Sequence, residues 1–147
     1  MKRKGEYMDK AELAYFEKLF KDYYTYSKKI LLRKAELAVK EIDENVGGGK
    51  SNIRAKTVEN MVIKNLSDDR LVFLEKVLEA IEYTLDMIYI INPQFKKLVV
   101  EKYFKNGGID TWEDVAKRVG WSTSQAYNIR YKTLEIFANR LGLANTL

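Results

Sequence analysis

Residues Thr111–Arg130, TWEDVAKRVGWSTSQAYNIR, read as a helix, a tight turn and a second helix, and the rest of the chain is understood from them. Two helices that cross this closely need a small residue near the middle of the first, and Ala116 supplies it. Four residues later the chain must leave the helix with a positive φ, which glycine adopts without steric cost, and Gly120 stands there. Val115, Val119, Trp121, Ala126 and Ile129 fall where the two helices face each other and a supporting helix. Every inward place is apolar or small.

The outer face of the second helix has a different chemistry. Ser122 is placed to cap it, and Ser124, Asn128 and Tyr131 recur along its outside at helical spacing, flanked by Thr123, Gln125, Tyr127 and Lys132. Hydroxyls and amides of this kind hydrogen-bond base edges and phosphates, as a helix lying in a major groove must. Arg118, Arg130 and Lys132 stand at the margins of that face, where phosphate is expected. A hairpin that only packs a core could share the apolar positions. A polar outer face free of acids favours a polyanionic partner instead.

Composition narrows the alternatives. The chain has 147 residues, 46% of them hydrophobic, enough for one ordinary domain or two small helical units. Residues 1–92 carry 17 basic and 16 acidic side chains, whereas residues 93–147 carry 9 and 5, so the excess of +5 is concentrated around the helix-turn-helix. With no Cys and no His, the usual thiolate, metal ligand and general base are missing, and neither catalysis nor a metal or cofactor is expected. The carboxylates are scattered at surface spacing, unlike an acid/base pair or a metal cluster. No run approaches 18 apolar residues, and the basic MKRKGEYMDK leads into an amphipathic segment. The expectation is a cytoplasmic protein without a membrane span or signal peptide.

Upstream, Asp9 to about Asn45 contains neither Pro nor Gly and predicts one long helix or two nearly continuous ones, ended by Gly47. Leu13, Phe16, Phe20, Tyr23, Ile30 and Leu37 keep to one side. The aromatic group Phe16, Phe20, Tyr23, Tyr24 and Tyr26 reads as core or subunit interface ahead of a stacking platform for single-stranded nucleic acid. Residues 46–54, VGGGKSNIR, predict a Gly-rich loop. Its GKS is no phosphate loop, because the glycine required five positions before Gly49 is replaced by Glu44. Thr57–Asn65 predicts a short helix, with Ser67 capping the next. In that next helix Leu71, Leu74, Leu78, Ile81, Leu85 and Ile88 form a seam that would pair with the first helix or with a second chain.

Asn92-Pro93 breaks this helix and is taken as the domain boundary. Gln94–Lys105 then predicts a helix covering the helix-turn-helix, and Gly142 stops the last one. The expected fold is all-α: a long N-terminal helical hairpin over residues 1–91, read as the oligomerisation region, followed by a helix-turn-helix DNA-binding domain over 92–147.

The arrangement QFKKLVVEKYFKN, a Gly-containing loop, TWEDVAKRVGWS and TSQAYNIRYKTLEIFANRLG resembles the region of sigma factors that reads the −35 promoter element. From Asp9 to Leu143 the chain is similar to phage transcriptional regulators of the RinA/ArpU type, in which a helical part with a GGG-containing loop, here Gly47-Gly48-Gly49, precedes a sigma-like helix-turn-helix. The resemblance implies activation of phage late or packaging genes. Here Ser, Asn and Tyr stand at outward positions of the recognition helix where Arg and Lys are sparse, so no particular DNA sequence carries over. The expectation is a sequence-specific regulator that binds double-stranded DNA as a homo-oligomer and can contact host RNA polymerase. The alternatives are a phage small terminase subunit, which joins a helix-turn-helix to oligomerising helices, and a sigma-like module that binds RNA polymerase without DNA.

Overall fold

The computed structural model describes residues 8–44, 58–61, 63, 65 and 67–142. Among them the regular elements are all helical: α1 (Lys10–Lys21), α2 (Tyr23–Glu44), α3 (Asp69–Ile91), α4 (Pro93–Phe104), a 3-10 turn at Asn106–Gly108, α5 (Trp112–Val119) and α6 (Thr123–Leu141). The described residues between 58 and 67 are helical as well, where the short helix was expected. The fold is all-α. No helix among the described residues is long and apolar enough to cross a membrane. The Gly-rich stretch at 46–54 lies outside the described residues.

The helix ends follow from local chemistry. Asp9 and Glu12 close a capping box at the start of α1, Asp9 Oδ1 accepting from the Glu12 N–H at 2.8 Å and Glu12 Oε1 from the Asp9 N–H at 3.0 Å. Asp22 alone separates α1 from α2, so the expected long segment is two nearly continuous helices. Ser67, expected to cap α3, instead donates its hydroxyl to the Ile63 carbonyl at 2.8 Å. The cap is Asp68, whose Oδ2 accepts from the Leu71 N–H at 2.9 Å. At Asn92-Pro93 the Asn side chain accepts from the Gln94 N–H at 3.0 Å, and Pro occupies the first turn of α4, where no N–H is needed.

The chain forms two compact units, one from Met1–Tyr23 with Glu79–Leu147 and the other from Tyr24–Leu78. The break at Pro93 therefore ends a helix inside the first unit, which also takes in α1 and the second half of α3. The cause is long-range aromatic packing. Phe20 of α1, fully buried, has its ring 5.4 Å from Tyr103, 5.8 Å from Phe104 and 5.4 Å from Phe137, and Phe16 lies 6.1 Å from Phe137. Burying such a ring stabilises by about 1.5–3 kcal/mol. Ile81, Leu85, Ile88, Leu98, Val99, Leu134 and Leu141 complete this core. Arg140, near the end of α6, is hydrogen-bonded to Glu79 and lies 4.2 Å from the centre of the Tyr83 ring.

In the second unit Tyr26, Ile30 and Leu37 of α2 are buried, as are Leu71, Leu74 and Val77 of α3. Arg33 grips Asp68 with two hydrogen bonds of 2.6 and 2.9 Å and also bonds Glu36 at 2.9 Å. The Arg33 bonds, with the Leu71 N–H, hold the Asp68 carboxyl at about 2. Of the α3 seam, Leu71, Leu74, Ile81, Leu85 and Ile88 are buried within the chain and Leu78 is half-buried.

Candidate nucleic-acid interface

The helix-turn-helix is built by three local devices. Thr111 caps α5, its hydroxyl accepting from the Asp114 N–H at 3.1 Å. Gly120 ends α5 with φ 81°, and this turn lets the Trp121 N–H reach back to the Ala116 carbonyl at 2.9 Å. Ser122 then starts α6 in a capping box with Gln125: Ser122 Oγ accepts from the Gln125 N–H at 3.1 Å, and Gln125 Oε1 from the Ser122 N–H at 3.0 Å. Ala116, Ala126, Val115 and Ile129 are buried, while Val119 and Trp121 are half-buried, Trp121 meeting Phe95 at 5.7 Å. The small Ala side chains permit the close crossing of α5 and α6.

This geometry sorts the ten residues singled out from the sequence. Thr123, Ser124, Tyr127, Asn128 and Lys132 are exposed on α6. Ser122 and Gln125 are exposed too, but the hydroxyl and the amide oxygen are engaged in the cap. Arg118 is exposed and held by Asp110 at 3.0 Å, with Glu101 at 3.6 Å. Hydrogen bonds from Asn106 and Arg118 keep the Asp110 carboxyl below its usual value. Arg118 thus braces the loop before α5 while presenting part of its guanidinium to solvent.

Arg130 and Tyr131 turn out to be partly inward. Arg130 bonds Glu17 of α1 through two hydrogen bonds, Nη2 to Oε1 at 2.6 Å and Nε to Oε2 at 3.0 Å, and Tyr103 donates its hydroxyl to the same Oε2 at 2.7 Å. The Glu17 and Arg130 side chains are 18% and 25% exposed, sheltered enough for this pairing to matter. Burial alone would raise the Glu17 carboxyl, yet the Arg130 and Tyr103 hydrogen bonds and the Arg130 charge outweigh it and leave it below the ordinary value. Burial and the neighbouring Glu17 charge push the Tyr103 phenol well up, so it remains a donor. Tyr131 accepts the Met8 N–H at 2.8 Å.

Glu17 and Met8 are the participants that the sequence reading missed. Met8 acts through its backbone and carries no side-chain signal. Glu17 does carry one: it sits between Phe16 and Phe20 on the inward side of α1, where an acid needs a cation. Beside Arg130 and Tyr131 a cleft opens between Leu13 of α1 and Tyr127, Asn128, Lys132 and Glu135 of α6. The α6 surface thus has an outward strip from Thr123 to Lys132 and a flank buttressed by α1.

A family model described as "Protein of unknown function (DUF722)" matches residues 14–139, a span that takes in α1 and the whole helix-turn-helix. No curated protein and no solved structure matches the chain.

Proposed function

The chain belongs to the DUF722 family, and we propose that it is a sequence-specific regulator of transcription that binds double-stranded DNA. The observation that carries this reading is the exposed strip of α6. Thr123, Ser124, Tyr127, Asn128 and Lys132 face solvent there, and no acidic residue occurs from Thr123 to Lys132. Laid in a major groove, the helix would direct Ser124 and Asn128, one turn apart, at base edges; an Asn amide pairs with adenine through two hydrogen bonds. Lys132 and the solvent-facing part of Arg118 would meet phosphates at the groove margins. Arg130, locked to Glu17, would set the orientation of α6 rather than contact DNA.

One helix-turn-helix makes few phosphate contacts, so the proposal includes a second copy of the chain. Leu31, Leu32 and Val39 of α2 are 67%, 54% and 60% exposed, an apolar strip suited to joining two protomers. The resemblance to RinA/ArpU regulators extends the proposal to a phage or prophage activator of late or packaging genes, with host RNA polymerase as a partner. Selection of bound fragments from random and phage-derived duplexes tests the reading. Recovery of one enriched motif supports it. Recovery of unenriched DNA together with a closed ring in solution points to packaging, and polymerase capture without duplex binding points to a sigma-like interaction module.

A further inference from the structure

Lys10, Ala14, Glu17 and Lys21 of α1 recur at steps of four, three and four and so share one row of the helix. From that row Glu17 reaches across to Arg130 with bonds of 2.6 and 3.0 Å, so the row runs along a flank of α6. Arg130 also lines the cleft that Asn128 and Lys132 border, which sets this flank beside the strip assigned to the major groove. Lys10, Ala14 and Lys21 are exposed. At about 1.5 Å per residue the Cα atoms of the two lysines are roughly 16 Å apart, a length over which one strand of a duplex presents about five phosphates.

Lys102 of α4 joins the row at its Lys21 end. The Lys21 Cε lies 3.8 Å from where a Cβ on Gly108 would stand, and the Lys102 carbonyl oxygen lies 3.9 Å from the same point. The Lys102 ammonium is 5.4 Å from the centre of the Tyr103 ring and 5.6 Å from that of Trp112. Burial lowers it below its ordinary value; the Glu17 charge opposes this, and the Lys21 and Arg130 charges add to it. The acids of α1 are already engaged, Glu12 in the capping box and Glu17 with Arg130 and Tyr103, and Asp110 is held by Arg118. None of the three lysines is paired with a carboxylate among the described residues. A line of anions would offset their mutual repulsion.

We propose that Lys10, Lys21 and Lys102 form a second DNA contact, a row that binds the sugar-phosphate backbone of one strand beside the groove that α6 occupies. The inference rests on the DNA-binding reading above. It gives α1 a direct part in binding, with the Glu17–Arg130 pair holding the row against α6.

The test uses the full chain and measures affinity against salt for a selected duplex and an unrelated one. Lys10→Ala with Lys21→Ala should lower the salt slope by about 1.8 on both duplexes, at about 0.9 per phosphate contact, while the ratio of the two affinities stays within about twofold. Adding Lys102→Gln should lower it by about 0.9 more. Lys18, two residues from both Phe16 and Phe20, is exposed on the side of α1 turned away from the core, and Lys18→Ala should leave the slope unchanged. An unchanged slope in the double variant, with wild-type protein binding normally, overturns this inference and leaves the DNA-binding reading intact. A loss in Lys18→Ala equal to that of Lys10→Ala or Lys21→Ala alone also overturns it, because general charge and not the row would then be responsible. Failure of the wild-type chain to bind any duplex overturns both readings.

Discussion

Arg130 of α6 and Glu17 of α1 are joined by two hydrogen bonds, 2.6 and 3.0 Å long, and the Tyr103 hydroxyl of α4 closes on the same carboxylate at 2.7 Å. Three helices thereby meet at one charge pair directly behind the exposed strip of α6. The pair joins the buried Ala126, Ile129, Leu134 and Phe137 in holding one face of α6 inward, which leaves Ser124 and Asn128 outward together.

Glu17→Gln should therefore cost about 2 kcal/mol at neutral pH, the scale of a sheltered hydrogen bond to a charged group. The effect should depend on pH. Because the folded-state carboxyl is held below its ordinary value, its contribution is present above the unfolded value of about 4.3 and is lost as pH falls through the folded value. Thermal melting of both proteins from pH 7 to pH 3 checks this. The gap in Tm should close on acidification, and a constant gap would refute the assignment.

The two turn glycines should differ in their tolerance of a methyl group. Gly120 has φ 81° with open space around an added Cβ, so Gly120→Ala carries only the left-handed backbone cost of about 1–2 kcal/mol. Gly108 has φ 72°, and its Cβ would stand 3.1 Å from the Tyr103 carbonyl oxygen. Gly108→Ala should be the more destabilising of the two in urea unfolding. The reverse order would contradict the close approach.

Thr133 is fully buried in α6, and its hydroxyl has no hydrogen-bond partner among the described residues. Val has nearly the same shape without the polar atom. Thr133→Val should leave stability unchanged or raise it by up to about 1 kcal/mol, read from chemical denaturation. A loss of more than that would reveal a bond to the hydroxyl.

The exposed strip of α2 predicts self-association. Leu32→Asp with Val39→Asp should shift sedimentation at micromolar concentration from dimer to monomer while circular dichroism keeps its helical signal. A wild-type chain that sediments as a monomer over the same range would remove this strip as an interface.

What could be read from the residues in order was local. Gly120 and Ser122 act on neighbours within four positions, Ala116 receives the Trp121 N–H five positions on, and Asn92-Pro93 acts within one turn, so their roles were legible. Caps were less so: Ser67 and Asp68 are adjacent and both suited to the task, and only the direction of the Leu71 N–H chooses Asp68. The part that α1 plays behind α6 was not legible at all. Arg130 looks like a marginal phosphate ligand until Glu17, 113 positions away, is seen to hold it. In the same way Phe16 and Phe20 announce a buried face but not its partner, which is why α1 was assigned to the N-terminal hairpin although it packs on Phe137 of α6.

If, as we propose, the outward strip of α6 reads DNA sequence, Asn128→Ala should show it in competition binding against a selected and an unrelated duplex. The variant should lose about 1–3 kcal/mol on the selected duplex, change little on the unrelated one, and keep its native helix content. Lys132→Ala, by contrast, should weaken both alike and lower the salt slope by about 0.9. Unchanged affinities of Asn128→Ala for both duplexes, in a protein with its helices intact, would contradict it.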